Sequence, residues 1–149
     1  MEIANNLVIW TTPPSPAELD VALDFVKPRI ITLVCTHPFQ KSVDGYLTRL
    51  TGLLKYAITR AAGKVTYVEL AAATSERVIT VELGLNWLVS SGKIILVHQE
   101  DDQLWVAPGK TVNDLGGAAR LRVEIQALLE ETAAYRVFFQ QADKKTLFP

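Results

Sequence analysis

Between Ser42 and Ala107 the chain asks in turn for a long amphipathic helix, two shorter helices and two apolar strands. No other feature limits the fold as much. The first helix follows Ser42 and places Leu47, Leu50, Leu54, Ala57, Ile58 and Ala61 on one stripe at helical spacing. A glycine break at Gly63 leads to a short helix, Tyr67 to Ala73. A capped helix is expected from Ser75 to Val89, stopped by Ser91-Gly92-Lys93. Two strands, Ile94 to Gln99 and Gln103 to Ala107, then flank an acidic turn, Glu100-Asp101-Asp102. Helix, helix, helix, strand, strand is the order of a winged helix-turn-helix.

That fold suggests nucleic acid, but surface chemistry must decide. In the third helix Val78, Val81, Leu85, Leu88 and Val89 form the inward face. A reader of duplex DNA carries Arg, Lys, Asn, Gln or Ser on the opposite face. Here Ile79, Leu83 and Trp87 occupy it, and Glu76 and Glu82 repel phosphate. From Val43 to Ala107 seven acidic residues outnumber six basic ones. Major-groove reading by this helix is therefore not expected; Ile79, Leu83 and Trp87 are expected to pack against protein. The first helix offers a different surface. Arg49, Tyr56 and Arg60 share a stripe at spacings of seven and four, with Lys64 nearby. Such a stripe suits single-stranded nucleic acid, through phosphate contact and base stacking. A solvated helix edge is the plainer reading of the same residues.

The N-terminal segment, residues 1–41, reads as strand, helix, strand. NLVIW is a short strand. Ser15, Pro16 and Glu18 predict a capping box with proline preset at the first helical position. Lys27-Pro28 ends that helix, and RIITLVC is the second strand. A full crossover implies parallel strands. Two parallel strands cannot bury both faces alone, so this unit must dock on other parts of the chain or form the edge of a larger structure. Pro13-Pro14 stands where a phosphate-cradling glycine loop would follow the first strand.

The last segment, residues 111–149, is expected to hold one amphipathic helix from about Gly117 to Gln140, capped by Asp114. Leu121, Ile125, Leu128, Leu129, Tyr135 and Phe138 or Phe139 recur at helical spacing and are expected to pack on the winged helix of residues 42–110. Arg120 and Arg122 lie near its N-terminus, against the dipole preference, as ion-paired or solvated residues or as phosphate contacts. The fold class is thus α/β (α+β).

In 149 residues there is room for one domain or two small ones. Fifteen basic and sixteen acidic residues give a net charge of −1, so any binding of phosphate must use a local patch. The lone cysteine, Cys35, sits in an apolar strand end and fits a reducing cytoplasm. No apolar run approaches the ~20 residues of a membrane span, and no signal peptide is evident. The two histidines, His37 and His98, lie in separate segments; His98 reads as structural and His37-Pro38 as a turn. Sequence alone shows no metal-ligand spacing, nucleophile motif or phosphate loop. No catalytic residue and no cofactor are expected in this chain.

The string LVIWTTPPSPAELDVALDFVKPRIITLV, with YLTRLTGLLKYAI, the winged helix and the closing EETAAYRVFFQQAD, resembles the C-terminal region of RecJ-type exonucleases. The resemblance covers nearly the whole chain and rests on structural patterns. These enzymes are bacterial 5′→3′ exonucleases specific for single-stranded DNA, acting in repair and recombination. Their Asp-His-His motifs bind divalent metal ions, Mn or Mg, in a separate core, and none of those motifs is in this chain. The resemblance therefore implies a non-catalytic accessory domain whose partners are the parent's catalytic core and either single-stranded DNA or repair proteins. The chain starts and stops close to secondary structure, as expected of a segment from a longer protein. The alternatives are a free-standing winged-helix transcription regulator and a winged helix that binds only protein.

Overall fold

The computed structural model describes residues 4–36, 42–111 and 114–149. His37 and Pro38 lie outside the described residues. The protein is mixed α/β, with six helices, a parallel two-stranded sheet and an antiparallel three-stranded sheet among the described residues. It divides into two compact units. Unit 1 is residues 1–39 with 131–149, and unit 2 is residues 40–130.

Unit 1 contains β1 (Asn6–Thr11), α1 (Pro16–Val26) and β2 (Ile30–Thr36). The strands pair in parallel, with Asn6 opposite Ile30 and Ile9 opposite Leu33. Pro16 opens α1 as expected, but the capping box does not form. The Ser15 hydroxyl donates to the Glu18 carboxylate and makes no bond to the helix backbone. Side chains alternate across the sheet, as a period of two requires. Leu7, Ile9, Ile31 and Leu33 lie on the inner face and pack with Leu19 and Leu23 of α1. The remaining cover comes from the end of the chain, with Tyr135, Phe139, Leu147 and Phe148 joining the same cluster. Of the two expected phenylalanines, Phe139 is buried and Phe138 is 50% exposed. Arg136, itself buried, donates through Nε to Thr12 O at 3.2 Å, and Gln140 donates to Cys35 O at 3.2 Å. Both bonds fall at the C-terminal ends of the strands, where α/β folds usually place ligands. Cys35 is half-buried there; burial pushes its thiol pKa up, against a hydrogen bond with Thr12.

Unit 2 contains α2 (Val43–Arg60), β3 (Lys64–Thr66), α3 (Tyr67–Thr74), α4 (Val78–Ser90), β4 (Ile94–Glu100) and β5 (Gln103–Pro108). The sheet order is β3-β5-β4, antiparallel throughout. β3 is absent from the sequence expectation. Three residues carry too little pattern to announce a strand, and β5 supplies its partner. Leu47, Leu50, Leu54 and Ala57 of α2 are buried as expected, together with Val43 and Tyr46. They meet Val81, Leu85 and Leu88 of α4 and Leu104 and Val106 of β5. Val78, placed inward by the sequence, is 37% exposed because it stands in the first turn of α4.

One helix starts later than its sequence suggests. Ser75 does not open α4; it closes α3 in the left-handed region at φ 56°, and its N–H bonds Ala71 and Ala72 carbonyls. α4 begins three residues later, after Arg77. The unforeseen capping box belongs to α3, where the Thr66 hydroxyl accepts from Glu69 N and the Glu69 carboxylate accepts from Thr66 N.

The long helix α5 (Leu115–Gln141) and the short α6 (Lys144–Leu147) complete the chain. Asp114 caps α5 as expected, accepting from Gly117 N at 2.9 Å. α5 does not belong to one body. Ile125 and Leu129 are buried in the core of unit 2, and Tyr135 and Phe139 pack in unit 1.

Candidate nucleic-acid interface

α2 presents two exposed edges, one on each side of its buried face. The edge expected to bind holds Arg49, Tyr56 and Arg60. Arg49 is engaged within the protein: its Nε and Nη2 donate to Ala73 O at 3.1 and 2.6 Å. It thereby satisfies a carbonyl in the last turn of α3, which would otherwise lack a partner. Tyr56 is 67% exposed and Arg60 is exposed. Lys64, on β3, places its Nζ 5.6 Å from the centre of the Trp105 ring. Trp105 in turn lies 5.0 Å from the His98 ring, so His98 is part of a packed aromatic pair on the sheet. The expected quartet is therefore divided: Tyr56 and Arg60 stay on open helix surface, Arg49 holds α3, and Lys64 attends the sheet.

The other edge carries Asp44, Thr48, Thr51 and Lys55, at successive turns. It forms one wall of a groove of about 490 Å³ that also meets Trp87, Lys93 and Arg122. Each of these comes from a different local device. Trp87 is in the last turn of α4, half-buried against the core. Gly92, at φ 72°, turns the chain after α4, and Lys93 N bonds back to Leu88 O at 2.9 Å. That turn sets the Lys93 ammonium 5.8 Å from the Trp87 ring centre. A Cβ on Gly109 would stand 2.0 Å from Gly92 O, so the chain leading to α5 runs close against this turn. Arg122 of α5 then reaches to 6.0 Å from the same ring and pairs with Asp44 at 2.8 Å.

The electrostatics are local and positive. Lys55, Lys93 and Arg122 face one acid, Asp44, in a chain of net charge −1. An aromatic face orients a cation without neutralising it, at about 0.5–1 kcal/mol for an exposed pair. Arg122 shares its charge with Asp44, whereas Lys93 stands against the Trp87 ring. The indole N–H of Trp87 is buried with no hydrogen-bond partner among the described residues. A cleft of this volume is within the roughly 300–1,000 Å³ range of small-ligand sites.

The stripe Ile79, Leu83 and Trp87 is graded in burial. Leu83 and Trp87 pack partly against the core of unit 2, and Ile79 is 45% exposed. Arg120 is exposed. Among the described residues no three His, Cys, Asp or Glu side chains converge as a metal site. No helix among them is long and apolar enough to cross a membrane.

Trp87 and Arg122 stand out in the sequence, but not as parts of one groove with Lys55 and Lys93, because these residues come from three separated places. Two signals could have pointed there. Arg122 sat at an unfavourable helix end, and Gly52 interrupted an otherwise good helix without a local reason. No family model, curated protein or solved structure matches this chain.

Proposed function

We propose that this chain is a non-catalytic accessory module of a single-strand-specific 5′→3′ DNA exonuclease, docking on its nuclease core through unit 1. Unit 2 is read as a winged helix-turn-helix, on its order of helix, strand, helix, helix, strand, strand and its sheet order β3-β5-β4. The parentage rests on the resemblance of the segments around β1, α1, β2, α2 and the end of α5.

One observation carries the docking role. The outer face of the parallel pair is apolar and bare, with Val8 54%, Trp10 65%, Ile30 58% and Val34 43% exposed. Parallel strands are normally covered on both faces. Both edges of the two-stranded sheet also lack a third strand among the described residues, leaving backbone groups open for pairing. A core that supplies strands and an apolar layer would complete this sheet. The transcription-regulator reading is disfavoured by Ile79 on the exposed side of α4 and by the acidic turn Glu100-Asp101-Asp102.

The test is co-elution of this chain with a nuclease core bearing the Asp-His-His motifs. The expected result is a stable complex with the unaltered chain and none with Trp10→Ser/Val34→Ser. Absence of association, or a complex indifferent to that double substitution, would overturn the reading. The chain alone is expected to degrade no labelled single strand with Mn²⁺ or Mg²⁺ present.

A further inference from the structure

Beyond the first turns of its helices, unit 2 has two glycines in mid-helix, Gly52 and Gly84, and they have opposite surroundings. A Cβ on Gly84 of α4 would lie 2.6 Å from Leu50 Cδ2 and 3.2 Å from the Tyr46 hydroxyl. Packing of α4 against α2 therefore explains Gly84. A Cβ on Gly52 of α2 would meet nothing within 4 Å. Glycine in mid-helix weakens the helix, and no contact among the described residues requires it at this position. Gly52 lies in the wall of the groove, between Thr48 and Lys55. Its missing side chain leaves the helix backbone open to close approach from outside.

The groove runs along α2 from Asp44 to Lys55, about 16 Å at 1.5 Å per residue. Its cations come from separate places in the chain, Lys55 from α2 and Lys93 and Arg122 at 5.8 and 6.0 Å from the Trp87 ring centre, which suits a ligand with more than one negative charge. A single carboxylate would satisfy one of them. Trp87 adds an aromatic surface between two of the cations. A charged groove with an aromatic ring is the general design for holding a single strand without reading its sequence. We propose that this groove, lined by Lys55, Lys93, Arg122 and Trp87, binds the sugar-phosphate backbone of a single-stranded nucleic acid, with Gly52 giving the strand room against α2. The inference deepens the proposed function by giving the strand a place on unit 2. Its test uses this chain alone, so its failure is separate from failure to dock on a core.

The experiment is a polarisation titration of labelled oligo-thymidylate with the full chain at low salt, with duplex DNA and polyglutamate as competitors. The expected result is binding whose affinity falls with salt, with a slope of about −1.4 for roughly two neutralised phosphates at ~0.7 each, because Arg122 is shared with Asp44. Lys55→Glu/Lys93→Glu is expected to weaken binding by ~10-fold or more at low salt. Gly52→Leu is expected to weaken it without lowering the melting temperature, which a purely structural role for Gly52 would not produce. Arg49→Glu/Arg60→Glu is expected to leave affinity nearly unchanged. Binding lost only in that last variant would move the site to the other edge of α2. Polyglutamate competing better than the oligonucleotide would make this an acidic-peptide groove, and preference for duplex or no binding at all would overturn the proposal.

Discussion

Unit 1 and unit 2 bury their apolar residues to different degrees. In unit 2, Leu50, Leu54, Leu88, Leu104 and Ile125 are fully enclosed, and helices and sheet share one core. In unit 1, only Ile9, Leu19 and Phe139 among the described apolar residues are buried, while the opposite face of the same sheet is open. The antiparallel sheet tolerates one wet face; the parallel pair does so at the cost of exposing Val8, Trp10, Ile30 and Val34. Unit 2 thus encloses its own core, whereas unit 1 has apolar surface left to bury. Local opening is expected to be easier in unit 1, and amide hydrogen exchange would read it directly as lower protection in β1 and β2 than in α2.

Truncating the enclosed core should have the largest effect. Leu50→Ala is expected to cost about 2–5 kcal/mol in chemical denaturation, as for other buried leucines. A cost below that range would mean that the core of unit 2 relaxes around the cavity, and the contrast with unit 1 would narrow.

Next come the two glycines. Gly84→Ala is expected to destabilise by about 1–3 kcal/mol, because the new Cβ presses on Leu50 and Tyr46 in a closed core. Gly52→Ala is expected to stabilise by about 0.5–1 kcal/mol, because it adds helix propensity in open space. Equal signs in thermal melts of the pair would remove the distinction between a packing glycine and a glycine kept for a ligand.

Tyr46 tests how dry the core of unit 2 is. Burial first, and the negative charge of Glu76 second, hold its phenol well above the usual tyrosine range. Its hydroxyl is buried without a hydrogen-bond partner among the described residues. The unfolded chain ionises this group near pH 10 and the folded one resists. Its contribution is therefore complete below pH ~10 and is lost as pH rises above that value. Tyr46→Phe is expected to change stability at neutral pH by no more than about 1 kcal/mol, on the favourable side. Compared with the unaltered chain, it should flatten the alkaline loss in a pH series of denaturation midpoints.

The smallest effect on folding belongs to the open face of unit 1. Trp10→Ser removes a residue that is 65% exposed and should shift stability by less than about 0.5 kcal/mol. A larger loss, measured on the isolated chain, would show that the face is already covered and would dissolve the comparison at its root.

Most of the elements and their inward faces are legible in the chain, although β3 and α6 are not. Leu47, Leu50, Leu54 and Ala57 on α2, Val81, Leu85 and Leu88 on α4, and Ile125 and Leu129 on α5 follow from helical spacing, which depends on local geometry alone. The stop at Gly92 and the cap at Asp114 are legible from equally local signals, and the parallel pairing of β1 and β2 from the full crossover that α1 makes between them. Where the long polar side chains end depends on packing between distant elements. Arg49 reaches a carbonyl 24 residues away, and Arg122 reaches Asp44 across 78. A flexible cation on an exposed stripe looks the same in sequence whether it faces solvent, a carbonyl, an acid or a ring. The choice among them is fixed by which elements packing brings within a few ångströms, and that is set by the whole core and not by the neighbours in the chain.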